Sequence, residues 1–381
     1  MKPFSKRLEN FDEYIFAGLN RAAKKIEIQT GRKVLNLSVG SPDVPPSRKV
    51  LAALSSAIKE PGAHLYPGYG ATPGFARAVQ QFYKTEYKVK VETDGIAPLL
   101  GAKDGIVHLI FALLDEGDEF LAPNPGYPGF TGPALMIGAK PLYYTLKEEN
   151  NFKPGISELE KLVTKKTKFI WLNFPSNPTG AAINLRELES YAAFVKKHNL
   201  ALLYDNAYAK MYYDGVKPPS ILQVRGAENF AVEIHSLSKT FSLAGYRIGF
   251  AAGNKKILDA LAKIKSQTDS GLTLPLQKMA EYALATPDVK WREKMLASYI
   301  LRRDILARTF AKLGCRFNTP EAALYIWARV PEKFKNGAEF AKFLLEEKQV
   351  LVTPGEAFGP AGDKYIRISF CSDIRKIKEY L

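Results

Sequence analysis

Lys239 stands in Ser236-Leu237-Ser238-Lys239-Thr240, among small hydroxyls, eight residues before Arg247 and just after the apolar run 230–234. An amine so placed reads as a covalent anchor for a carbonyl compound, through a Schiff base. Other polar groups fall at comparable points. Asp205 closes the hydrophobic run 200–204, where a carboxylate is costly to bury without a cationic partner. The competing reading is a helix N-cap. Asn177 lies in Asn173-Phe174-Pro175-Ser176-Asn177-Pro178-Thr179-Gly180, whose density of turn residues holds it as a donor at a sheet edge. Tyr127, in the rigid loop Pro123-Asn124-Pro125-Gly126-Tyr127-Pro128, is suited to lie flat on a planar ligand, or is simply a packed turn tyrosine. Leu100-Gly101-Ala102-Lys103-Asp104-Gly105 reads as a strand turning through glycine into a helix. Such a junction presents backbone N–H groups and a positive dipole end to an anion such as phosphate.

The elements that must position these residues alternate. Strands are expected at 96–100, 119–122, 168–173, 201–204, 231–235 and 247–251, and helices at 103–115, 184–198 and 255–267. This is a doubly wound α/β pattern: a mostly parallel sheet covered by helices in three layers, with functional residues where strands end. The final third differs. A charged helix over 287–313 precedes strands at 325–330, 349–353 and 365–370, a smaller α+β unit. The amphipathic stretch 14–27 and the run 34–39 are expected to pack against it. That arrangement implies a large domain of residues 46–284 and a discontinuous small domain of 1–45 plus 285–381, with a ligand in the cleft between them.

Bulk properties narrow the class. With 381 residues and 46% hydrophobic composition the chain can bury a large core. No apolar run reaches the roughly 18 residues of a membrane span, and residues 1–7 lack a signal-like apolar core, so no membrane role is expected. Cys315 and Cys371 form no paired motif, and the four histidines show no ligand spacing. No disulfide framework and no metal site are expected, and a reducing cytoplasm is the default. The net charge of +15 is spread along the chain rather than gathered in a nucleic-acid motif, and favours anionic ligands.

Together these residues supply an aromatic plate, an anion cradle with an arginine, a buried acid and an amine nucleophile, which are the needs of pyridoxal 5'-phosphate (PLP). Over nearly its whole length the chain resembles the fold-type I, class I/II PLP-dependent aminotransferases, through Asn177-Pro178-Thr179-Gly180, Asp205 with Tyr208, and Ser236-Leu237-Ser238-Lys239 with Arg247. The resemblance implies that Lys239 holds PLP covalently and later moves the substrate's proton, and that Asp205 keeps the pyridine nitrogen protonated. Asn177 and Tyr208 would bond the ring's phenolic oxygen, and Tyr127 would stack on the ring. It assigns the phosphate to the backbone of Gly101, Ala102 and Lys103, to Ser236 and Ser238, and to Arg247. Many relatives carry a hydroxyl residue near Lys103, so only its backbone role carries over. Arg367, in Tyr365-Ile366-Arg367-Ile368, matches the arginine that binds the substrate carboxylate with a guanidinium fork, a geometry lysine lacks. Gly40 matches a substrate loop, and Tyr66 a tyrosine that reaches the neighbouring subunit's phosphate, which implies a homodimer with shared sites.

The implied reaction moves an amine from an amino acid to a 2-oxo acid such as 2-oxoglutarate. Tyr14-Ile15-Phe16-Ala17 and His235-Ser236-Leu237-Ser238-Lys239 are similar to LL-diaminopimelate aminotransferases and the aspartate or alanine enzymes near them. Tyr14 and Phe16 read either as a lid over the substrate or as the apolar face of a helix. The stretch Lys265-Ser266-Gln267-Thr268-Asp269-Ser270-Gly271 has no arginine to read a distal carboxylate. A β-lyase of the same fold would use the same Lys239 and Asp205, and a non-catalytic PLP-fold binding protein is the third reading.

Overall fold

The computed structural model describes residues 4–11, 15–215 and 217–380. Its strands are β1 (Leu35–Asn36), β2 (Ile96–Leu99), β3 (Glu119–Asn124), β4 (Lys140–Thr145), β5 (Thr167–Asn173), β6 (Ala201–Asp205), β7 (Ala231–Ser236), β8 (Gly249–Gly253), β9 (Tyr325–Arg329), β10 (Val350–Leu351), β11 (Thr353–Pro354) and β12 (Tyr365–Ser369). Seven of them form one sheet in the order β2-β8-β7-β6-β5-β3-β4. Within it β4, β3, β5, β6 and β7 run parallel, and β8 is antiparallel to both of its neighbours.

The central strands read as unbroken apolar runs because both of their faces are covered. On one face Phe120, Phe169, Trp171, Leu203 and Ile234 pack with Ile106 and Leu109 of the helix Ala102–Leu113 and with Leu258 and Leu261 of the helix Lys255–Lys265. The alternate residues Leu121, Ile170, Leu172, Leu202 and Tyr204 meet Leu188, Ala192 and Val195 of the helix Leu185–Lys197 on the other. That helix starts at a capping box. Asn184 Oδ1 accepts from Glu187 N–H at 3.0 Å, and Glu187 Oε2 accepts from Asn184 N–H at 2.8 Å, an arrangement worth about 1 kcal/mol. Parallel pairing of β3, β5, β6 and β7 brings Asn124, Asn173, Asp205 and Ser236 to one edge of the sheet, where α/β proteins bind ligands.

A second, three-stranded antiparallel sheet has the order β11-β12-β9, with Arg367 opposite Thr353 on one side and Trp327 on the other. Its Ile326, Ala328, Ile366 and Ile368 share a core with Tyr299, Leu306 and Phe310 of the helix Val289–Lys312 and with Phe340 and Leu344 of the helix Gly337–Lys348. The N-terminal segment joins this unit: Leu35 pairs with Val350, and Ala23 of the helix Ile15–Thr30 is buried with Leu345 and Leu351.

Three local expectations change. Arg247 does not open a strand. Its φ of +56° is left-handed, and the strand begins at Gly249. The single strand expected over 349–353 is two, because β10 pairs with β1 and β11 with β12. The edge strand β4 has no counterpart among the sequence-based strands, since most of it is only half-buried and it lacks the apolar run that marks the central strands.

Candidate active site

A cavity of about 420 Å³ opens at this edge, lined from the large sheet by Asp205 and Ser236, from the short helix after it by Lys239, and from the smaller sheet by Tyr325 and Arg367. Lys239 reaches it through a tight local device. Buried β7 ends at Ser236, whose hydroxyl accepts from Ser238 N–H at 3.2 Å and starts the short helix Leu237–Thr240. Leu237 N–H bonds Ile248 O at 3.1 Å, tying that turn to the next strand. Lys239 Nζ then donates to Gly40 O at 2.6 Å and lies 6.0 Å from the centre of the Tyr208 ring. Burial pushes its amine down to about 8, with the positive charges of Arg367 and Arg247 acting in the same direction.

Asp205 is 5% exposed, and its Oδ1 accepts from Ala207 N–H at 3.1 Å. Burial pushes its carboxyl up to about 7, against the opposing effects of that bond and of the Lys239 charge. Its acceptor role is to a turn over 207–210 rather than to a helix, so the N-cap reading does not hold. Tyr208 is buried, and its hydroxyl shares a hydrogen bond of 2.8 Å with Tyr325. Burial and then the Tyr325 neighbour hold the Tyr208 hydroxyl well above its ordinary range.

Arg367 is 3% exposed and fixed on all sides. Nη1 donates to Asn177 Oδ1 at 2.7 Å and Nη2 to Ser38 O at 2.6 Å, while the guanidinium lies 4.2 Å from the Tyr325 ring centre and 4.6 Å from that of Phe358. Asn177 is itself set by its N–H donating to Asn173 Oδ1 at 2.9 Å. Tyr127 lines the cavity, braced edge-on by Phe130 with ring centres 5.6 Å apart. Gly40 lines it too, and any side chain there would collide with Tyr325.

Ala102, Lys103, Ser236, Ser238 and Arg247 all line the cavity, and Gly249, the strand partner of Ser236, lies against the backbone N of Ala102. The helix Ala102–Leu113 has glycine at its N-cap and no side-chain cap, so its first turn is open to an external acceptor. Gly101 has φ +86°, and a Cβ there would sit 2.5 Å from Arg247 Nη2; only glycine lets the guanidinium approach this turn. A carbonyl-reactive amine, a buried acid, a flat ring and this phosphate-sized cradle fit PLP.

Tyr66 is 88% exposed and does not line the cavity. Tyr14 lies outside the described residues, as does the side chain of Phe16. Lys265 is 2% exposed and ion-paired to Asp104 and Asp269 at 2.7 Å, which removes it as a reader of substrate charge. Tyr325 and Phe358 are the site residues that sequence reasoning missed. Tyr325 is two residues from the strand partner of Arg367, on the same face, a relation visible only once the β9–β12 register is known.

The family model for "Aminotransferase class I and II" matches residues 32–381. The chain belongs to this family. An LL-diaminopimelate aminotransferase of Dehalococcoides mccartyi is 39% identical over 367 residues, covering 96% of this chain and 94% of that protein. One of Aquifex aeolicus is 37% identical over 380 residues, covering 100% and 97%. Among solved structures, substrate-bound BacF of Bacillus subtilis has a TM-score of 0.93 at 34% identity, covering 100% of this chain and 96% of that one. The chain is thus a PLP-dependent aminotransferase with the fold-type I architecture, catalysing amino transfer between an amino acid and a 2-oxo acid. The β-lyase reading is not favoured. Among the described residues no helix is long and apolar enough to cross a membrane.

Proposed function

We propose that this aminotransferase uses LL-diaminopimelate as amino donor and 2-oxoglutarate as acceptor, with aspartate and alanine as the competing donors. The run of relatives bearing the LL-diaminopimelate name at 34–39% identity over nearly the full chain carries that choice. The immobilised Arg367 fork supports an α-carboxylate as the common handle of donor and acceptor.

The cavity lining supports a role for each residue. Lys239 would hold the PLP aldehyde carbon, and its Nζ, once displaced by the substrate amine and with an affinity for protons lowered to about 8, would take up and return the substrate Cα proton near neutral pH. Asp205 would serve the ring nitrogen, Asn177 and Tyr208 the phenolic oxygen, and Tyr127 the ring face. The N–H groups of residues 101–103, the hydroxyls of Ser236 and Ser238, and Arg247 would hold the phosphate. When bound, PLP supplies the electron sink that makes the Cα–H bond labile. Gly40 O holds Lys239 Nζ, and its bare backbone admits the substrate beside Tyr325.

The active unit in this reading is a homodimer, supported by the exposed Tyr66 together with the exposed Leu65 and Tyr69. The division into residues 46–284 and 1–45 plus 285–381 is supported by the clusters centred on each sheet, which meet around Tyr208 and Trp327, and by the β1–β10 pair. A reducing cytoplasm suits the two buried free cysteines, Cys315 and Cys371. Tyr14 is assigned to the substrate lid by its similarity to the diaminopimelate branch.

The visible spectrum of the purified holoenzyme tests the substrate choice. The cofactor band should bleach with LL-diaminopimelate and return on adding 2-oxoglutarate. Bleaching by aspartate or alanine but not by LL-diaminopimelate would sink it, and release of pyruvate without any acceptor would point to a lyase.

A further inference from the structure

The helix Ala102–Leu113, whose N-terminus lines the cavity, carries an acid in its first turn, Asp104. A carboxylate is ordinarily favourable at a helix N-terminus, but a phosphate bound at the same end adds a second anion, and the two repel. The surroundings of Asp104 show both why it is there and what offsets it. Its Oδ2 accepts from Leu100 N–H at 2.9 Å, which closes the strand-to-helix turn Leu100-Gly101-Ala102-Lys103 from the inside. The same oxygen lies 2.7 Å from Lys265 Nζ, and this buried ammonium also donates to Asp269 Oδ2 at 2.7 Å. His108 Nδ1 is 2.9 Å from Asp104 Oδ1, and its Nε2 meets Thr268 Oγ1 at 2.6 Å. Ligand atoms of Asp104, His108 and Asp269 all lie within 4.8 Å of one another, a spacing suited to a cation, and the Lys265 ammonium is bonded to both carboxylates.

We propose that Lys265 is a positioning residue for the cofactor phosphate. It offsets the charge of Asp104, the residue that shapes the turn, while shared with Asp269, so the helix N-terminus stays attractive to a dianion. Lys265 thus touches neither substrate nor cofactor and acts through Asp104. The proposal rests on the reading that the phosphate lies at residues 101–103.

The test compares PLP with pyridoxal, which has the same ring and aldehyde but no phosphate, by absorbance titration of the cofactor-free protein. Lys265→Met should weaken PLP binding by roughly three- to thirtyfold, the span for a partly buried charge at a helix end, and leave pyridoxal binding nearly unchanged. Asp104→Asn/Lys265→Met should regain most of the lost PLP affinity, because removing one carboxylate with the ammonium returns the cluster, Asp269 included, to its wild-type net charge, while the asparagine oxygen still accepts from Leu100 N–H. Equal losses for PLP and pyridoxal would mark a merely structural ion pair and overturn the proposal, as would a double variant no better than Lys265→Met. If Lys265→Met yields no folded protein, Lys265→Gln is read in the same way. Arg247→Met separates the two levels. If it leaves the preference for PLP over pyridoxal intact, the phosphate placement itself is wrong; if it abolishes the preference and Lys265→Met leaves that preference unreduced, only the Lys265 proposal falls.

Discussion

Replacing Asp205 by asparagine should make the cofactor-free protein more stable and the enzyme far worse. The carboxyl is buried, accepts a bond from Ala207 N–H, and is pushed from an ordinary 3.8 up to about 7. A carboxyl raised in the folded state stabilises most below its unfolded value, and that stability is lost as pH rises to the folded value. The loss approaches about 1.4 kcal/mol per pH unit between these two values and has halved by pH 7, so wild-type cofactor-free protein forfeits about 2.3 kcal/mol between pH 5 and pH 7 and on the order of 4 kcal/mol from pH 3.8 upward. Asparagine keeps an acceptor for Ala207 N–H and has no charge to bury. Urea unfolding of both proteins without cofactor should therefore show Asp205→Asn gaining about 2–3 kcal/mol on wild type between pH 5 and pH 8. In the holoenzyme the same change removes the charge proposed to face the ring nitrogen, and kcat/KM should fall at least about a hundredfold, as when a preorganised electrostatic group is lost. A stability difference independent of pH, or an asparagine variant less stable than wild type at pH 8, would refute the argument that Asp205 is held at a cost that the cofactor offsets.

Lys239→Ala should abolish turnover and the visible band of covalently held cofactor while far-UV circular dichroism stays native; normal catalysis would overturn the cofactor assignment. Arg367→Lys loses the fork between Asn177 Oδ1 and Ser38 O, so kcat/KM should drop by the equivalent of roughly 2–5 kcal/mol for carboxylate substrates. An unchanged kcat/KM would mean that Arg367 does not meet the carboxylate. Tyr325→Phe removes the 2.8 Å bond to Tyr208 but keeps the ring against Arg367. The expected cost is about 1 kcal/mol in urea stability, with a shifted pH dependence of the cofactor band as Tyr208 loses its partner; a spectrum and stability identical to wild type would rule out the coupling.

The parts of this site legible in the sequence share one property: each is fixed by a few consecutive residues. Asp205 and Lys239 follow buried apolar strands, and Asn177 sits in a turn-dense segment, so strand ends and turn chemistry locate them without knowledge of distant contacts. The sheet was readable for the same reason in its buried centre, and unreadable at β4, where partial exposure erases the apolar run. Residues fixed by long-range register were hidden. Tyr325 meets Tyr208 across 117 positions, and Arg367 meets Ser38 O across 329. Resemblance found Arg367 because its chemistry is shared; nothing local singled out Tyr325.

The Lys265 stretch shows how a correct local reading can still miss the physics. The absence of arginine from residues 265–271 bears on the substrate side chain, yet Lys265 itself faces inward, bonded to Asp104 beneath the turn that is open to the phosphate. Its burial is costly on its own, and sequence shows only one more lysine in a chain carrying a net charge of +15. What changes its meaning is the oxygen it shares with Leu100 N–H. Through that atom, a charge on the helix Lys255–Lys265 bears on a backbone turn more than 160 positions earlier. A basic composition favours anionic ligands in general; only the placement of one buried ammonium against one first-turn carboxylate directs that preference to the turn where Gly101 meets Arg247.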